Sequence, residues 1–563
     1  MKSSYITKLL TVIVVCQIAT SCKKVFEKED LSAISSDNVW NDAKLATAYV
    51  NTLYLNMPSG WDISFSSYSD EAGWGNSLSY GKTVVYGRVT PDLNPLNLWA
   101  YTNVRNINIF MENIDKGTLS EPVKNTLKGQ AYFIRAFTYF EMVKRYGGVP
   151  IITKPQDLTE DLFVARNTTA ECFTFIEDDL TKAMALLPEE GSLSGENSGR
   201  IAKGAGMSFL GRVKLYKASP QFKPNGDAAL WSQAYTANKQ ALTYLQSKGK
   251  GLFDNYGQLW FNEMNKEVIF SIRYKFPERT SDHCACTRPL SETFNCVGTN
   301  QPTHELSEAF PMKNGLPITD PSSGYALNTF WQNRDPRFYD VIVYNGANYP
   351  LSGKADRIQY TYVGMPPYDG FPSAWGTGTG YYSRKAVDVS LKQPEVFNDG
   401  VDWIEIRYAE VLMNMAEAAN ETGQIAEAYD VLKAIRSRAG ITSGAGNLYG
   451  LQAGMTKEAM RKAIMDERFI EFALEKKRFW DLRRMRRLDV LNGKRRHGLA
   501  STPINPANLS AGFTYQVKDA DLEQAMLLPD NYYFFPIPRK ELQNNPKLKQ
   551  NVGWENGDFD PLK

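Results

Sequence analysis

The feature that most constrains the fold is a long run of helical periodicity in the first part of the chain. Between Asp37 and Leu245, apolar residues recur every three or four positions, which is the pattern of helices that bury one face. Six helices are predicted there: Trp40–Met57, Leu96–Asp115, Glu121–Tyr146, Thr169–Leu187, Arg200–Ala218 and Trp231–Tyr244. Successive helix pairs of this kind resemble tetratricopeptide repeats. We therefore expect a mostly α-helical fold.

A region with a different sequence pattern follows. From about 252 to 401, short β-like runs alternate with long loops rich in Gly, Pro, Asn and Tyr. The predicted β-like runs are Glu267–Arg273, Arg337–Tyr344 and Ile358–Tyr362. Helical periodicity returns at Trp403–Thr422, Gln424–Gly440, Thr456–Glu475 and Lys477–Leu491. Since no linker is evident, we expect one intertwined unit with a helical part at about 37–245, a loop-rich insertion at about 252–401 and a helical part at about 402–563.

The first 22 residues have the form of a bacterial lipoprotein signal. Lys2 and Lys8 flank the start of an apolar run from Leu9 to Ala19, and small residues lead into Cys22. A run of about a dozen residues is too short to span a membrane, which needs about 20. We expect residues 1–21 to be removed and Cys22 to be acylated, which would tether the mature domain, 22–563, to the cell envelope. The alternative is an ordinary secretory signal with an incidental cysteine.

Charge gives no reason to expect a nucleic-acid partner. The chain has 64 basic and 62 acidic residues, and loss of Lys2 and Lys8 with the signal leaves the mature protein formally neutral. One stretch near the C-terminus is strongly basic; it contains Lys476, Lys477, Arg478, Arg483, Arg484, Arg486, Arg487 and Lys494–Arg496. Because acidic residues surround this stretch, we interpret it as a solvated face or a docking patch.

Many short motifs occur along the chain in a characteristic order. They include Ser69–Ala72, Lys128–Ala136, Tyr146–Pro150, Arg166–Thr169, Gly199–Gly204, Arg334–Arg337, Ile406–Leu412, Arg436–Gly440, Asp466–Arg468, Asp481–Arg484 and Pro536–Pro538. No single segment is specific, but in this order they resemble the SusD/RagB family of nutrient-binding outer-membrane lipoproteins. The resemblance covers nearly the whole mature sequence.

This resemblance implies a mostly α SusD-like fold in which tetratricopeptide-like helix pairs support a loop-rich region that binds glycan. It also implies a location at the outer membrane, lipid-anchored and facing outward. The implied partner is a SusC-type TonB-dependent transporter, which would import the captured nutrient. Family members differ in their ligands, so the resemblance indicates an oligosaccharide, polysaccharide or other nutrient without naming one.

The glycan-binding candidates lie in three loop segments with exposed aromatic character. The first contains Trp61, Asp62 and Trp74, and the second contains Cys284 and Cys286. The third is the glycine-rich loop around Trp375, Tyr381, Tyr382 and Arg384. Aromatic rings can pack against the apolar face of a sugar, glycine lets the backbone approach a ligand, and arginine can donate hydrogen bonds to hydroxyl groups.

The cysteines leave two alternatives open. Cys284, Cys286 and Cys296 could form a disulfide in an oxidising compartment, or they could contribute to a zinc site, whereas Cys172 is expected to be a buried free thiol. No cofactor or metal is expected, although a structural calcium ion near acidic loop residues such as Asp369 and Asp388 is an open alternative.

Motifs of catalysis are missing or broken, so we do not expect an enzyme. The chain has no Gly-x-Ser-x-Gly elbow and no His-Glu-x-x-His pair. A glycoside hydrolase that uses two distant carboxylates remains an alternative, as does a structural or adhesion lipoprotein. Charged residues of alternating sign at helical spacings predict ion-pair networks between packed helices; they include Arg407, Glu410, Glu417, Arg436, Arg438, Glu467, Arg468, Glu471, Arg478 and Asp481.

Overall fold

The structure, a computed structural model, describes residues 36–73, 80–157, 159–296, 298–366, 368–373 and 375–563. The helices of the first part are α1 Ser36–Val39, α2 Ala43–Leu55, α3 Tyr80–Val85, α4 Tyr101–Asn113, α5 Glu121–Tyr146, α6 Thr169–Leu186, α7 Lys203–Ala218 and α8 Ala228–Ser247. Those that follow are α9 His283–Thr287, α10 His304–Ala309, α11 Pro336–Val341, α12 Tyr408–Glu421, α13 Ile425–Arg438, α14 Lys457–Glu471, α15 Arg478–Arg484 and α16 Arg539–Asn544. The mostly helical prediction is confirmed.

In the described ranges the strands form two-stranded sheets. They are β1 Ala72–Gly73, β2 Val268–Ile272, β3 Gln301–Pro302, β4 Ile342–Val343, β5 Ala347–Asn348, β6 Ile358–Gln359, β7 Tyr382–Ser383, β8 Trp403–Arg407, β9 His497–Pro503 and β10 Phe513–Asp519. The antiparallel pairs are β1–β3, β2–β8, β4–β7, β5–β6 and β9–β10.

The helices form successive packed pairs. Helix α5 packs along α6, α7 along α8, and α12 along α13. Helix α8 also packs against α12, although the loop-rich region separates them in sequence. One large hydrophobic core therefore contains residues of both helical parts, such as Phe137, Phe209, Ala416 and Phe479. A smaller core around Tyr382 lies within the loop-rich region, and another around Phe338 joins this region to residues of the C-terminal part such as Phe469 and Leu499.

Local capping explains where the helices begin. Thr168 accepts a hydrogen bond from the backbone N–H of Glu171, and the Glu171 carboxylate accepts one from the N–H of Thr168, which is a complete capping box. Helix α5 has the predicted bounds and ends at Gly147, whose φ of 74° is readily adopted only by glycine.

Three predictions of secondary structure were wrong in part. Most of Arg337–Tyr344 is helix α11, because the Asp335 carboxylate caps it and Pro336 suits its first turn. The first five residues of Trp403–Thr422 form strand β8, which pairs with β2 and is buried throughout. The helix predicted at Lys477–Leu491 ends at Arg484, and the long hairpin β9–β10 was not predicted.

Buried ion pairs join the helices, as the alternating charges predicted. The Arg407 guanidinium contacts the carboxylates of Glu267, Glu471 and Glu475 at 2.7, 2.6 and 2.8 Å. Arg337 contacts Glu471 at 2.8 Å from the opposite side. Removing one partner of such a network would leave buried charge uncompensated.

The expectation that the basic stretch near the C-terminus is a solvated face was wrong for four of its arginines, which are buried, whereas Arg487 and Lys494 are exposed. Arg478 is buried and bonds Asp70 at 2.8 Å. Arg484 is fully buried against Glu417, and Arg483 is fully buried with its guanidinium on backbone carbonyls. Short-range sequence could not reveal these partners, because each of them is distant along the chain.

None of the helices in the described ranges combines the length and the apolar character needed to cross a membrane.

Candidate functional site

Two exposed aromatic side chains lie on the loop that follows β6, and three half-buried ones lie on or beside it. Trp375 is 57% exposed and Tyr368 is 59% exposed. Tyr360, Tyr362 and Phe513 are half-buried neighbours, with ring centroids 5.9 to 6.3 Å apart. We call these five residues the aromatic loop face. Aromatic rings held at the surface are a known way to recognise apolar faces of ligands.

Hydrogen bonds fix the loop that carries Trp375. The Ser373 hydroxyl accepts from the backbone N–H groups of Trp375 and Gly376, at 3.2 and 3.0 Å. The Gln301 amide donates to the Gly376 carbonyl at 2.9 Å and accepts from the Gly378 N–H at 2.8 Å. Gln301 itself is fully buried in strand β3. The exposed ring therefore stands on a loop that is tied to a buried strand.

Strand β1 brings an early part of the chain to the same place. Gly73 pairs with Gln301, and a Cβ atom built on Gly73 would lie only 2.7 Å from Cγ2 of Thr379. This close approach requires glycine. Trp74, a predicted ligand contact, follows Gly73 directly but lies outside the described residues, as does Cys22.

Tyr381 and Tyr382 are core residues, which corrects the expectation that they face a ligand. Tyr381 is 1% exposed, and its hydroxyl lies 2.9 Å from Nδ1 of His304. Tyr382 is fully buried in the small core with Cys284, because β7 pairs with β4 beneath the surface. Burial raises the pKa of both hydroxyls well above its usual value of 10.

The cysteine cluster contains one disulfide. Cys286 pairs with Cys296, whereas Cys284 and Cys172 are free and buried. Burial raises the pKa of the Cys284 thiol to about 12, so this thiol is unreactive near neutral pH. Cys286 is only 4% exposed and Cys296 is half-buried, so the bridge lies mostly beneath the surface.

No metal centre is evident in the part of the chain that the structure describes, where no three His, Cys, Asp or Glu side chains are grouped to hold an ion. The two carboxylates considered for calcium bond the chain itself. Asp369 accepts from the Ser291 hydroxyl at 2.5 Å, and Asp388 accepts from the Ser390 hydroxyl at 2.6 Å.

Trp61 lies in an aromatic cluster and not on a free loop. Its ring stacks on the His283 imidazole at 3.9 Å between centroids, and its edge packs near Trp260 and Trp403. Its indole N–H donates to the Val401 carbonyl at 2.7 Å. Burial lowers the pKa of His283 to about 4, so this imidazole is neutral at physiological pH. The predicted segment with Trp61 therefore contacts the predicted segment with Cys284 and Cys286 through the stacking of Trp61 on His283. This contact is part of the protein's internal packing.

Two cavities flank this aromatic cluster. The smaller, which we call the inner cavity, has a volume of about 320 Å³ and is lined on one side by Trp61 and Asp62. The larger, the Arg384 cleft, has a volume of about 740 Å³ and is lined by Arg384, Asp340 and Phe261 among others. Burial raises the pKa of Asp340.

The sequence did not single out Tyr368, Phe261 or Phe294, which are 59%, 38% and 52% exposed. For Tyr368 a signal existed, since it lies in a run of Gly, Pro and Tyr like that around Trp375. For Phe261 and Phe294 no local pattern separates exposure from burial.

The fold and the site define a class: a scaffold of paired helices that carries a loop-rich face of exposed aromatic residues. Comparison with known proteins makes this class specific. Residues 266–554 match the model of the SusD family, and residues 25–215 match a model described as starch-binding associating with outer membrane. The chain belongs to the SusD family.

Relatives match over almost the full length. A SusD-like protein of Formosa agariphila is 23% identical over 559 residues, which is 95% of this chain and 96% of the relative. A SusD-like protein of Bacteroides fragilis superposes with a TM-score of 0.75 at 28% identity, covering 93% of this chain and 99% of the other. A structure from the same species, described as a SusD-like carbohydrate binding protein, has a TM-score of 0.74 at 23% identity, covering 91% and 100%.

Proposed function

We propose that this protein binds an oligosaccharide or polysaccharide on the aromatic loop face while a lipid on Cys22 anchors it to the outer membrane. The observation that supports this most is the exposure of Trp375 and Tyr368, at 57% and 59%, on a loop tied to buried Gln301. The family's association with the outer membrane, and a carbohydrate-binding relative of the same fold, point the same way.

The physical basis is the match between aromatic rings and sugars. A pyranose ring has an apolar C–H face, and removing that face and an indole from water is favourable. Rings that are already held in place lose little conformational freedom on binding, so more of the interaction energy is retained. The loop carries Trp375 and Tyr368, and next to it the rings of Tyr360, Tyr362 and Phe513 lie within 5.9 Å of a neighbouring ring, between centroids.

We also propose that the bound glycan passes to a SusC-type TonB-dependent transporter and that the protein does not cleave it. Family membership supports the first part of the proposal. The direct test is co-purification of the lipoprotein with a large outer-membrane transporter from native membranes. Release of new reducing ends from a bound polysaccharide would contradict the second part.

Calorimetry and affinity electrophoresis test the binding site. The mature domain without its lipid is titrated with glucans, fructans, mannans, pectins and host glycans. For the glycan that binds, the double variant Trp375→Ala, Tyr368→Ala should weaken affinity at least tenfold, because central aromatic contacts contribute about 1–2 kcal/mol or more each.

A matched control is Phe163→Ala, since Phe163 is 45% exposed and lies on the helical part of the chain. Its affinity should equal that of the wild type. If the double variant binds as tightly as the wild type, the glycan does not use this face. If no glycan of the panel binds, the ligand is a different nutrient or the site needs the transporter.

A further inference from the structure

The inner cavity has an uneven distribution of charge. On one wall the charges compensate each other: Arg212 contacts Glu405 at 2.6 Å and Glu410 at 2.7 Å, and Lys477 contacts Glu410 at 3.0 Å. Two cations and two carboxylates form a closed set there. This wall offers no net charge to a ligand.

The wall built by helix α5 is different. Lys144 and Arg145 both contact Glu141, at 2.5 and 2.7 Å, and in the described ranges neither has another carboxylate within ion-pair distance. Both cations also lie over the ring of Trp480, at 4.5 and 4.9 Å from its centroid. On this wall the Glu141 carboxylate therefore forms ion pairs with two cations, which leaves one positive charge uncompensated.

Behind the same tryptophan lies another uncompensated cation. The Arg483 guanidinium is 5.2 Å from the Trp480 centroid and donates to the carbonyls of Tyr532 and Tyr533, at 2.6 and 2.7 Å. Carbonyl oxygens satisfy its hydrogen bonds but not its charge. Six basic and six acidic residues line the cavity as a whole. Asp481 pairs with Arg468 and Arg484, and Glu475 pairs with Lys385 and Arg407, so the charge left uncompensated near Trp480 is positive.

Lys476 is a further basic residue that lines the inner cavity. Its ammonium lies 4.6 Å from the centroid of Trp403 and donates to the Gly60 carbonyl, and no described carboxylate forms an ion pair with it. Its backbone has a φ of 58°, a left-handed conformation that is uncommon for lysine. Such conformations persist where the surrounding structure requires them, often at binding sites. Asp62, at the edge of the cavity, is exposed and accepts from Ser64.

We propose that the inner cavity is a binding site for a small organic anion, a sugar acid of monosaccharide size, whose carboxylate is held by Lys476 and by the positive wall at Lys144 and Arg145. The volume of about 320 Å³ lies at the lower end of the range of about 300–1,000 Å³ for small-molecule sites. The space exceeds what a single inorganic oxyanion fills. Of the tryptophans that line the cavity, Trp61 is half-buried and offers aromatic surface to a sugar ring, whereas Trp403 and Trp480 are almost fully buried and hold the cations in place.

The lowered pKa values of the two lysines agree with this assignment. Burial lowers the pKa of Lys144 to about 7, although Glu141 contacts it, and burial also lowers the pKa of Lys476. A buried ammonium with too little compensating charge is costly, and an arriving carboxylate would supply that charge. This site is separate from the aromatic loop face and does not depend on the glycan proposed there.

The test is calorimetric titration of the mature chain with D-glucuronate, with D-glucose as the neutral counterpart and sodium sulfate as the inorganic anion. We expect glucuronate to bind at least tenfold more tightly than either. Lys476→Met should weaken glucuronate binding at least tenfold, because hydrogen bonds to charged groups are among the strong ones. Lys494→Met, at an exposed lysine outside the cavity, is the matched control and should leave the affinity unchanged.

Lys144→Met provides a second variant in case Lys476→Met does not fold, and it should also weaken binding. The double variant Trp375→Ala, Tyr368→Ala should leave glucuronate affinity unchanged, which separates this site from the loop face. Equal affinity for glucuronate and glucose, absence of glucuronate binding to the wild type, or unchanged binding in folded Lys476→Met or Lys144→Met would each overturn the proposal. Equal affinity for sulfate would also overturn it, because the site would then recognise charge without a sugar.

Discussion

Replacing Glu71 by glutamine should make the protein more stable at alkaline pH and leave it nearly unchanged in acid. Glu71 is 1% exposed, and its carboxyl group accepts from the Leu474 N–H at 2.8 Å and from the Ser69 hydroxyl at 3.3 Å. The adjacent Asp70 carboxylate forms an ion pair with the Arg478 guanidinium, at 2.8 Å. Burial therefore dominates and raises the pKa of Glu71 from its ordinary 4.5 to about 8.

The direction in which stability changes with pH follows from the raised pKa of Glu71. The neutral carboxyl group contributes its full stability below pH 4.5, and this contribution is lost as the pH rises through the folded-state value near 8. Since one pKa unit corresponds to about 1.4 kcal/mol, the loss amounts to about 5 kcal/mol above pH 8. Glu71→Gln cannot ionise, and its amide oxygen can still accept from Leu474. The variant should match the wild type within about 1 kcal/mol at pH 5 and exceed it by about 5 kcal/mol at pH 9.

Thermal unfolding followed by circular dichroism at pH 5 and pH 9 measures this difference. An unfolding entropy of about 2.1 cal/mol/K per residue gives about 1.2 kcal/mol/K for 563 residues, so about 5 kcal/mol corresponds to a shift of about 4 °C. Glu523→Gln is the control, because Glu523 pairs with Arg88 and Lys82 at the surface and its pKa is lowered. A melting difference between Glu71→Gln and wild type that is the same at both pH values would refute the reasoning.

Two further predictions concern stability. Arg407→Met should lower the free energy of unfolding by about 3–5 kcal/mol in urea titrations, because it removes the shared partner of Glu267, Glu471 and Glu475. The control Arg487→Met, at an exposed arginine, should lower it by less than about 0.5 kcal/mol. Equal losses in the two variants would contradict the importance of burial. Cys296→Ser should cost about 3 kcal/mol, because the bridge to Cys286 closes a loop with a sequence separation of 10, and a reductant that destabilises the wild type should leave this variant unchanged.

The helical scaffold could be predicted from the sequence because its signal is local. Helix α5 has its predicted bounds, since Pro122 marks its first turn and Gly147 its end. Strand β8 was mistaken for helix because its alternation of apolar and charged residues, Ile404–Arg407, is short and runs directly into the helical periodicity of α12. The hairpin β9–β10 was missed because its pairing depends on contacts across a loop and not on neighbouring residues.

The site was predictable only as a region. Trp375 and Tyr381 lie in one glycine-rich segment and have similar side chains, yet one is 57% exposed and the other 1%. The difference arises because β7 pairs with β4, which turns the end of the segment into the core. Composition can indicate that a loop carries aromatic residues, but burial depends on partners elsewhere in the chain.

Buried charges explain how a loop-rich region can be held firmly enough to bind. Lys385, at the end of the glycine-rich segment, contacts Glu475 at 2.7 Å, and Arg337 of α11 contacts Glu471 at 2.8 Å. Both carboxylates belong to the helical part and share Arg407. The loops are thus fixed from below, while Trp375 is mostly in contact with solvent. Because surface substitutions away from packed features usually change stability by less than about 0.5 kcal/mol, the exposed residues proposed to contact ligand can vary without loss of the fold. The same argument makes Tyr381 and Tyr382 poor positions for such variation, since changing either one would leave a cavity in the core.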